Sequence, residues 1–129
     1  MVITDVDGVD AVADKIWCAV SGARLSASGT QIVAGTKALH HVLPDLIPPV
    51  DRTYTIRFFH ENTLMPRGDE DAFKEVYPAL VQIASRAGDR LKVNNRSPMN
   101  TSRTKIIDNA VIGYVWGKLK VVPDDEAAD

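Results

Sequence analysis

Positive charge and hydrogen-bond donors crowd together just where the last helix of this chain should begin. Asn94, Asn95, Arg96, Ser97, Asn100, Thr101, Ser102, Arg103 and Lys105 surround a predicted helix start near Ser102. A helix N-terminus already carries about half a positive charge, so Arg103 and Lys105 are misplaced there unless an anion offsets them. Free backbone N–H groups beside cationic side chains form a corner suited to phosphate. Arg96, Ser102, Arg103 and Lys105 are the expected contacts, with Arg52 and His41 as further members of the set. The competing reading is a solvated loop with ordinary surface charge.

A second constellation is Gly35-Thr36-Lys37 with Asp51 beyond a proline-rich turn. Chain reversal at Pro44 would return Asp51 to the side of the helix that bears Lys37. A desolvated lysine so paired is a nucleophile suited to a sugar C1′, and the carboxylate can stabilise a cationic transition state or move a proton. The same residues are also explained as a solvent-facing lysine and a helix N-cap.

The elements that must position these groups read as helices. Val9, Val12, Ala13, Ile16, Trp17 and Val20 keep the spacing of one helical face, with Asp7 as N-cap and Gly22 as stop. Ser28 and Gln31 fit a capping box, opening a second helix that ends at Pro44. Ile32, Thr36, Leu39 and Leu43 share one of its faces, Lys37 and His41 another. Asp51 is a natural N-cap for a third helix through Thr53–Phe59; the segment also alternates like a strand, but no partner strand is long enough to pair with it. Acidic Asp69, Glu70 and Asp71 open a fourth helix with a stripe of Phe73, Val76, Tyr77, Leu80, Ala84 and Ala87, which Pro78 should break or kink near Tyr77 before Gly88 ends it. The last helix, through Ile106, Ile107, Val111 and Val115, is apolar on most sides and is expected to be central. The fold class predicted is all-α, an irregular bundle of about five helices around a central C-terminal helix.

Composition sets the outer bounds. The 129 residues are 45% apolar, enough for one core, so 1–123 is read as a single helical domain and 124–129 as an acidic disordered tail. The net charge of −2 conceals an asymmetry: residues 86–123 hold eight basic and two acidic side chains. No apolar run approaches the ~20 residues of a membrane helix, and the opening residues are acidic where a signal peptide is basic. A cytoplasmic location without a membrane partner is therefore expected. Cys18, the single cysteine, excludes an intrachain disulfide and reads as core. His40 and His41 are adjacent on a helix and diverge by ~100°, so no metal and no cofactor is expected.

Val33-Ala34-Gly35-Thr36-Lys37-Ala38, followed by Pro49-Val50-Asp51, resembles the hairpin, lysine and aspartate segment of the helix-hairpin-helix DNA glycosylase superfamily. The resemblance implies Lys37 as Schiff-base nucleophile and Asp51 as catalytic carboxylate, and it covers about a fifth of the chain. Val33 replaces the first glycine of that hairpin, and the Lys37–Asp51 interval is shorter than in the superfamily. The stretch Lys37–Arg52, with Ser102-Arg103-Thr104-Lys105, is also similar to a group of small uncharacterised bacterial proteins. Val2-Ile3-Thr4-Asp5-Val6-Asp7-Gly8 is similar to the first motif of haloacid-dehalogenase-type phosphatases, whose parallel sheet the following helices do not provide.

Three functions follow as expectations. The first is a module binding nucleic acid or another phosphate-bearing ligand. The second is a glycosylase or abasic-site lyase using Lys37 and Asp51. The third is a structural or oligomeric protein, a homo-oligomer included, with Trp17, Phe58, Phe59 and Trp116 at an interface.

Overall fold

Helix α1, Val9–Ala23, buries Ala13, Ile16, Trp17 and Val20 along the predicted face, with Val9 and Val12 packed at its margin. Asp7 does not cap it. Gly8, at φ +62°, takes the cap position, and the helix runs past Gly22 to a left-handed Arg24. Cys18 is exposed, a correction to the core assignment: one residue after Trp17, it is turned about 100° away from the buried stripe.

The computed structural model describes residues 1–91 and 101–118; within them lie five α-helices and no strand, an all-α bundle. The sheet that the haloacid-dehalogenase motif requires is thus absent among the described residues, and Asp5 lies in a 3₁₀ turn, Ile3–Asp5. Arg96 and the acidic tail fall outside the described residues.

Helix α2, Ile32–Val42, is capped from a distance. The Ser28–Gln31 capping box does not form; the Gln31 amide accepts from the Ser26 N–H and donates to the Ser26 and Ser28 carbonyls. Instead the Asp69 carboxylate accepts from the backbone N–H groups of Gln31, at 2.5 Å, and Ile32, at 3.2 Å. Gly35 lets α2 approach α1 closely, since a Cβ there would lie 2.6 Å from Val20 Cγ1 and 3.1 Å from the Val20 carbonyl oxygen.

The reversal between α2 and the third helix is fastened on several sides. The Ile3 N–H donates to the Asp45 carbonyl and the buried Tyr77 hydroxyl to that of Leu46. Burial pushes the Tyr77 hydroxyl pKa up to about 12, so it stays a donor at neutral pH. Thr36 Oγ1 accepts from the Val50 N–H at 2.9 Å and donates to the Ile32 carbonyl at 2.6 Å. Thr36→Val would keep the shape and orphan a buried N–H, so a loss of about 1–2 kcal/mol is expected in urea unfolding. A loss no larger than that of a half-buried Thr30→Val control would contradict this role.

Asp51 caps the next element as predicted, its Oδ1 accepting from the Tyr54 and Thr55 N–H groups. That element opens as a π-helical turn, Arg52–Ile56, and passes into α3, Arg57–His60. Phe58 packs edge-on against Phe59 and against Tyr114.

Helix α4, Asp69–Ala87, runs through Pro78 without dividing, where two pieces were expected. Its stripe of Ala72, Phe73, Val76, Tyr77, Leu80, Val81 and Ala84 is buried on both sides of the proline, so packing holds the two halves in one helix. With α1, α2, α5 and the 3₁₀ turn all packed on it, α4 occupies the centre expected for the last helix. Helix α5, Arg103–Lys118, buries Thr104, Ile107, Asp108, Val111 and Val115 on one face and leaves Tyr114 and Trp116 exposed.

Candidate functional site

A cleft of about 650 Å³ opens between α2, the proline-rich reversal and the beginning of α5. Lys37, His40 and His41 line it from α2; Pro44, Pro49, Asp51 and Tyr54 come from the reversal and the π-helical turn; Thr101, Lys105, Asp108 and Ile112 close it. Its size is within the usual range for small-molecule sites. The turn at Pro44 does what the sequence suggested, returning Asp51 to the side of Lys37.

Lys37 and His41 are exposed and stand one helical turn apart on the same face of α2. Lys37 has no ion pair among the described residues. It is not desolvated, contrary to the premise of the nucleophile reading. Asp51 is half-buried, with one oxygen committed to its cap and the carboxylate at the cleft wall.

Lys105 is drawn onto Asp108, Nζ to Oδ2 2.8 Å, and Asp108 is buried at 7% exposure. Burial lifts the Asp108 carboxyl above the usual carboxylate range; Lys105 opposes this, while the charge of Asp51 adds to it. The upward direction shows desolvation outweighing the lysine, as expected for a largely buried ion.

His40 also lines the cleft, half-buried. Its Nδ1 lies 2.8 Å from the Ile47 carbonyl oxygen and 3.1 Å from Thr104 Oγ1. The Thr104 hydroxyl donates to the Pro44 carbonyl. Both neighbours therefore accept from Nδ1, which fixes it as the protonated nitrogen of the neutral ring.

The other predicted residues stand elsewhere. The Asp45 carboxylate accepts from the Arg103 backbone N–H at 3.1 Å and pairs with its guanidinium at 3.9 Å. Ser102 is buried, and its Oγ accepts from the Lys105 N–H. The anion that the basic start of α5 calls for is thus supplied by the protein itself, and Arg103 and Ser102 hold the helix end rather than line the cleft. Arg52 is exposed and also outside the lining. Of the predicted set, Lys37, His41, Asp51 and Lys105 come together.

Asp108 and Tyr54 are lining residues that the sequence does not single out; it marks Thr101 only within the basic cluster and His40 only as a metal candidate. His40 carried a usable signal, three positions after Lys37 on one helical face; Asp108 stands three after Lys105. The aromatic residues proposed for an interface separate: Trp17 is buried against Phe73, Phe58 and Phe59 are half-buried, and Trp116 is 56% exposed.

A second cleft, about 740 Å³, lies beside α4. His60 there has Nδ1 at 2.9 Å from the Leu64 carbonyl oxygen and Nε2 at 2.9 Å from the Glu75 carboxylate, and these acceptors raise its pKa above the ordinary imidazole value. Lys74 is spent on Glu70 and Asp14. Arg67 lines this second cleft with no ion pair among the described residues, as Lys37 lines the first; the first cleft differs in drawing its cations from two helices, α2 and α5. Among the described residues no three His, Cys, Asp or Glu side chains converge as metal ligands do. No family model, no curated protein and no solved structure matches this chain.

Proposed function

We propose that this cleft binds a phosphate-bearing ligand, a nucleotide or a nucleic-acid strand, through Lys37, His41 and Lys105. One observation carries the reading: cations from two helices distant in sequence line a single concave surface, and Lys37 has no internal carboxylate partner among the described residues. The basic start of α5 no longer supports it, because Asp45 already answers that charge.

The test is binding of short single- and double-stranded DNA at low salt and mildly acidic pH. Affinity should fall steeply as salt rises. A Lys37→Ala, His41→Ala pair removes two exposed groups that have no hydrogen bond to another described residue. It should weaken binding about tenfold and flatten the salt slope by roughly one to two units. Absence of binding by the parent protein at low salt rejects the proposal, and a larger effect from Arg103→Ala places the contact at the α5 start instead.

A second reading is favoured by the shared wall of Lys37 and Asp51: an enzyme acting on an abasic or damaged nucleotide, with Lys37 as nucleophile. It predicts borohydride trapping of a covalent complex with abasic-site DNA that vanishes in Lys37→Ala. Equal trapping by that variant rejects it.

A further inference from the structure

Among the described residues that line the cleft, the charges cancel while the imidazoles are neutral. Lys37 and Lys105 stand against Asp51 and Asp108, and Tyr54, Thr101 and Ile112 carry no formal charge. Among these residues only His40 and His41 can then tip the balance toward an anion by gaining a proton. The two are not equivalent. His41 is exposed and has no hydrogen bond among the described residues, whereas the His40 ring is held on one side by the Ile47 carbonyl and Thr104.

That hold settles which nitrogen is left. With Nδ1 engaged, Nε2 is the remaining site, and among the described residues it has no hydrogen-bond partner. The ring itself is half-buried rather than sealed. On a half-buried ring that lines the cleft, a nitrogen with no partner among the described residues is open to a ligand there. Lys37, one turn earlier on the same helix, flanks it.

We infer that His40 is the proton-dependent anion contact of this cleft: its Nε2 takes up a proton as a tetrahedral oxyanion binds, so affinity follows the charge of one pre-oriented imidazole. The inference rests on the phosphate-binding reading of the same cleft and names the group that governs it. Binding is strongest below neutrality and declines as histidine side chains lose their protons, between about pH 6 and pH 8. Two carboxylates also face the ring's surroundings, Asp108 from α5 and Asp51 from the π-helical turn, and the Asp45–Arg103 pair sits at the neighbouring helix end. All four are retained in the variants below, so any pH dependence they contribute survives the His40 substitution.

The probes are sulfate and a short single-stranded oligonucleotide, whose charges are constant over that interval. For the parent protein, affinity should drop about tenfold from pH 6 to pH 8, which by linkage corresponds to a pKa rise of about one unit for the coupled group on binding. His40→Asn keeps an amide N–H near the position of Nδ1 for the Ile47 carbonyl and removes Nε2. It should fold, bind weakly and lose the pH dependence, while His41→Asn retains most of it. In NMR titrations, saturating sulfate should shift the midpoint of the His40 ring C–H resonance upward and leave that of His60 in place. Sulfate or oligonucleotide binding whose pH dependence persists in His40→Asn, or an unmoved His40 midpoint, overturns the inference alone. No binding of either probe at any pH removes it together with the site reading beneath it.

Discussion

Replacing Phe73 by alanine should lower the unfolding free energy by about 3–5 kcal/mol, the largest loss expected from any single truncation here. Phe73 is fully buried and opens the predicted stripe of α4. Its ring lies 5.7 Å from that of Trp17 on α1 and stacks at 5.4 Å on that of Tyr77. Truncation removes apolar burial and both ring contacts, and it leaves a cavity that the two helices cannot close without moving Tyr77, which braces the cleft-bearing reversal at Leu46. A domain of this size is stable by only ~6–19 kcal/mol, so the variant should denature several molar units of urea earlier or not fold. Urea unfolding followed by Trp17 fluorescence measures it. A loss below about 1.5 kcal/mol would show that the α1–α4 contact is not the centre of the core.

The second large effect is expected at Asp69. Its carboxylate accepts from two of the free N–H groups at the start of α2, those of Gln31 and Ile32, while the residue itself opens α4. Hydrogen bonds to a charged acceptor are stronger than neutral ones, and a cap lost from a helix end is not replaced by alanine. Asp69→Ala should cost about 2–3 kcal/mol, and Asp69→Asn, which keeps an acceptor oxygen without the charge, about half of that. Chemical unfolding of the three proteins gives the order. If alanine and asparagine lose equally, the charge is what matters; if neither loses more than about 0.5 kcal/mol, α2 is capped by water and the contact is incidental.

These two residues also mark what the chain makes legible. Phe73 belongs to a periodic stripe, and periodic burial needs only local sequence to be read; the same holds for Ala13, Ile16, Trp17 and Val20 on α1 and for Asp51, whose cap lies three and four residues ahead of it. Asp69 is legible as an acidic residue at a helix start but not as the cap of another helix, because its partners are 38 and 37 residues away. The Ser28–Gln31 pattern has the right letters and is outcompeted by that distant carboxylate. Pro78 signals a break that packing on both sides overrides.

The cleft divides in the same way. Lys37 and Asp51 were readable as a pair because a proline reversal between them has few conformations. The charge of its helix end marks Lys105, while nothing local marks Asp108, because a carboxylate three residues after a lysine usually belongs to a solvated helix face. Here that face is turned inward against the reversal, so the carboxylate is buried. Local sequence marks His40 only as a metal candidate, whereas its hydrogen bonds to Ile47 and Thr104 depend on contacts that no local pattern encodes.

Both α2 and α5 begin on a borrowed carboxylate, Asp69 for one and Asp45 for the other. Neither helix carries within its own peptide everything needed to start. Excised segments spanning 26–43 or 101–118 should show little helicity in water, because a short isolated helix is marginal even with its ends satisfied. Thermal melting of the whole chain should accordingly be a single sharp transition seen alike by every probe, since the fragment that would melt last has already lost the group that lets it begin.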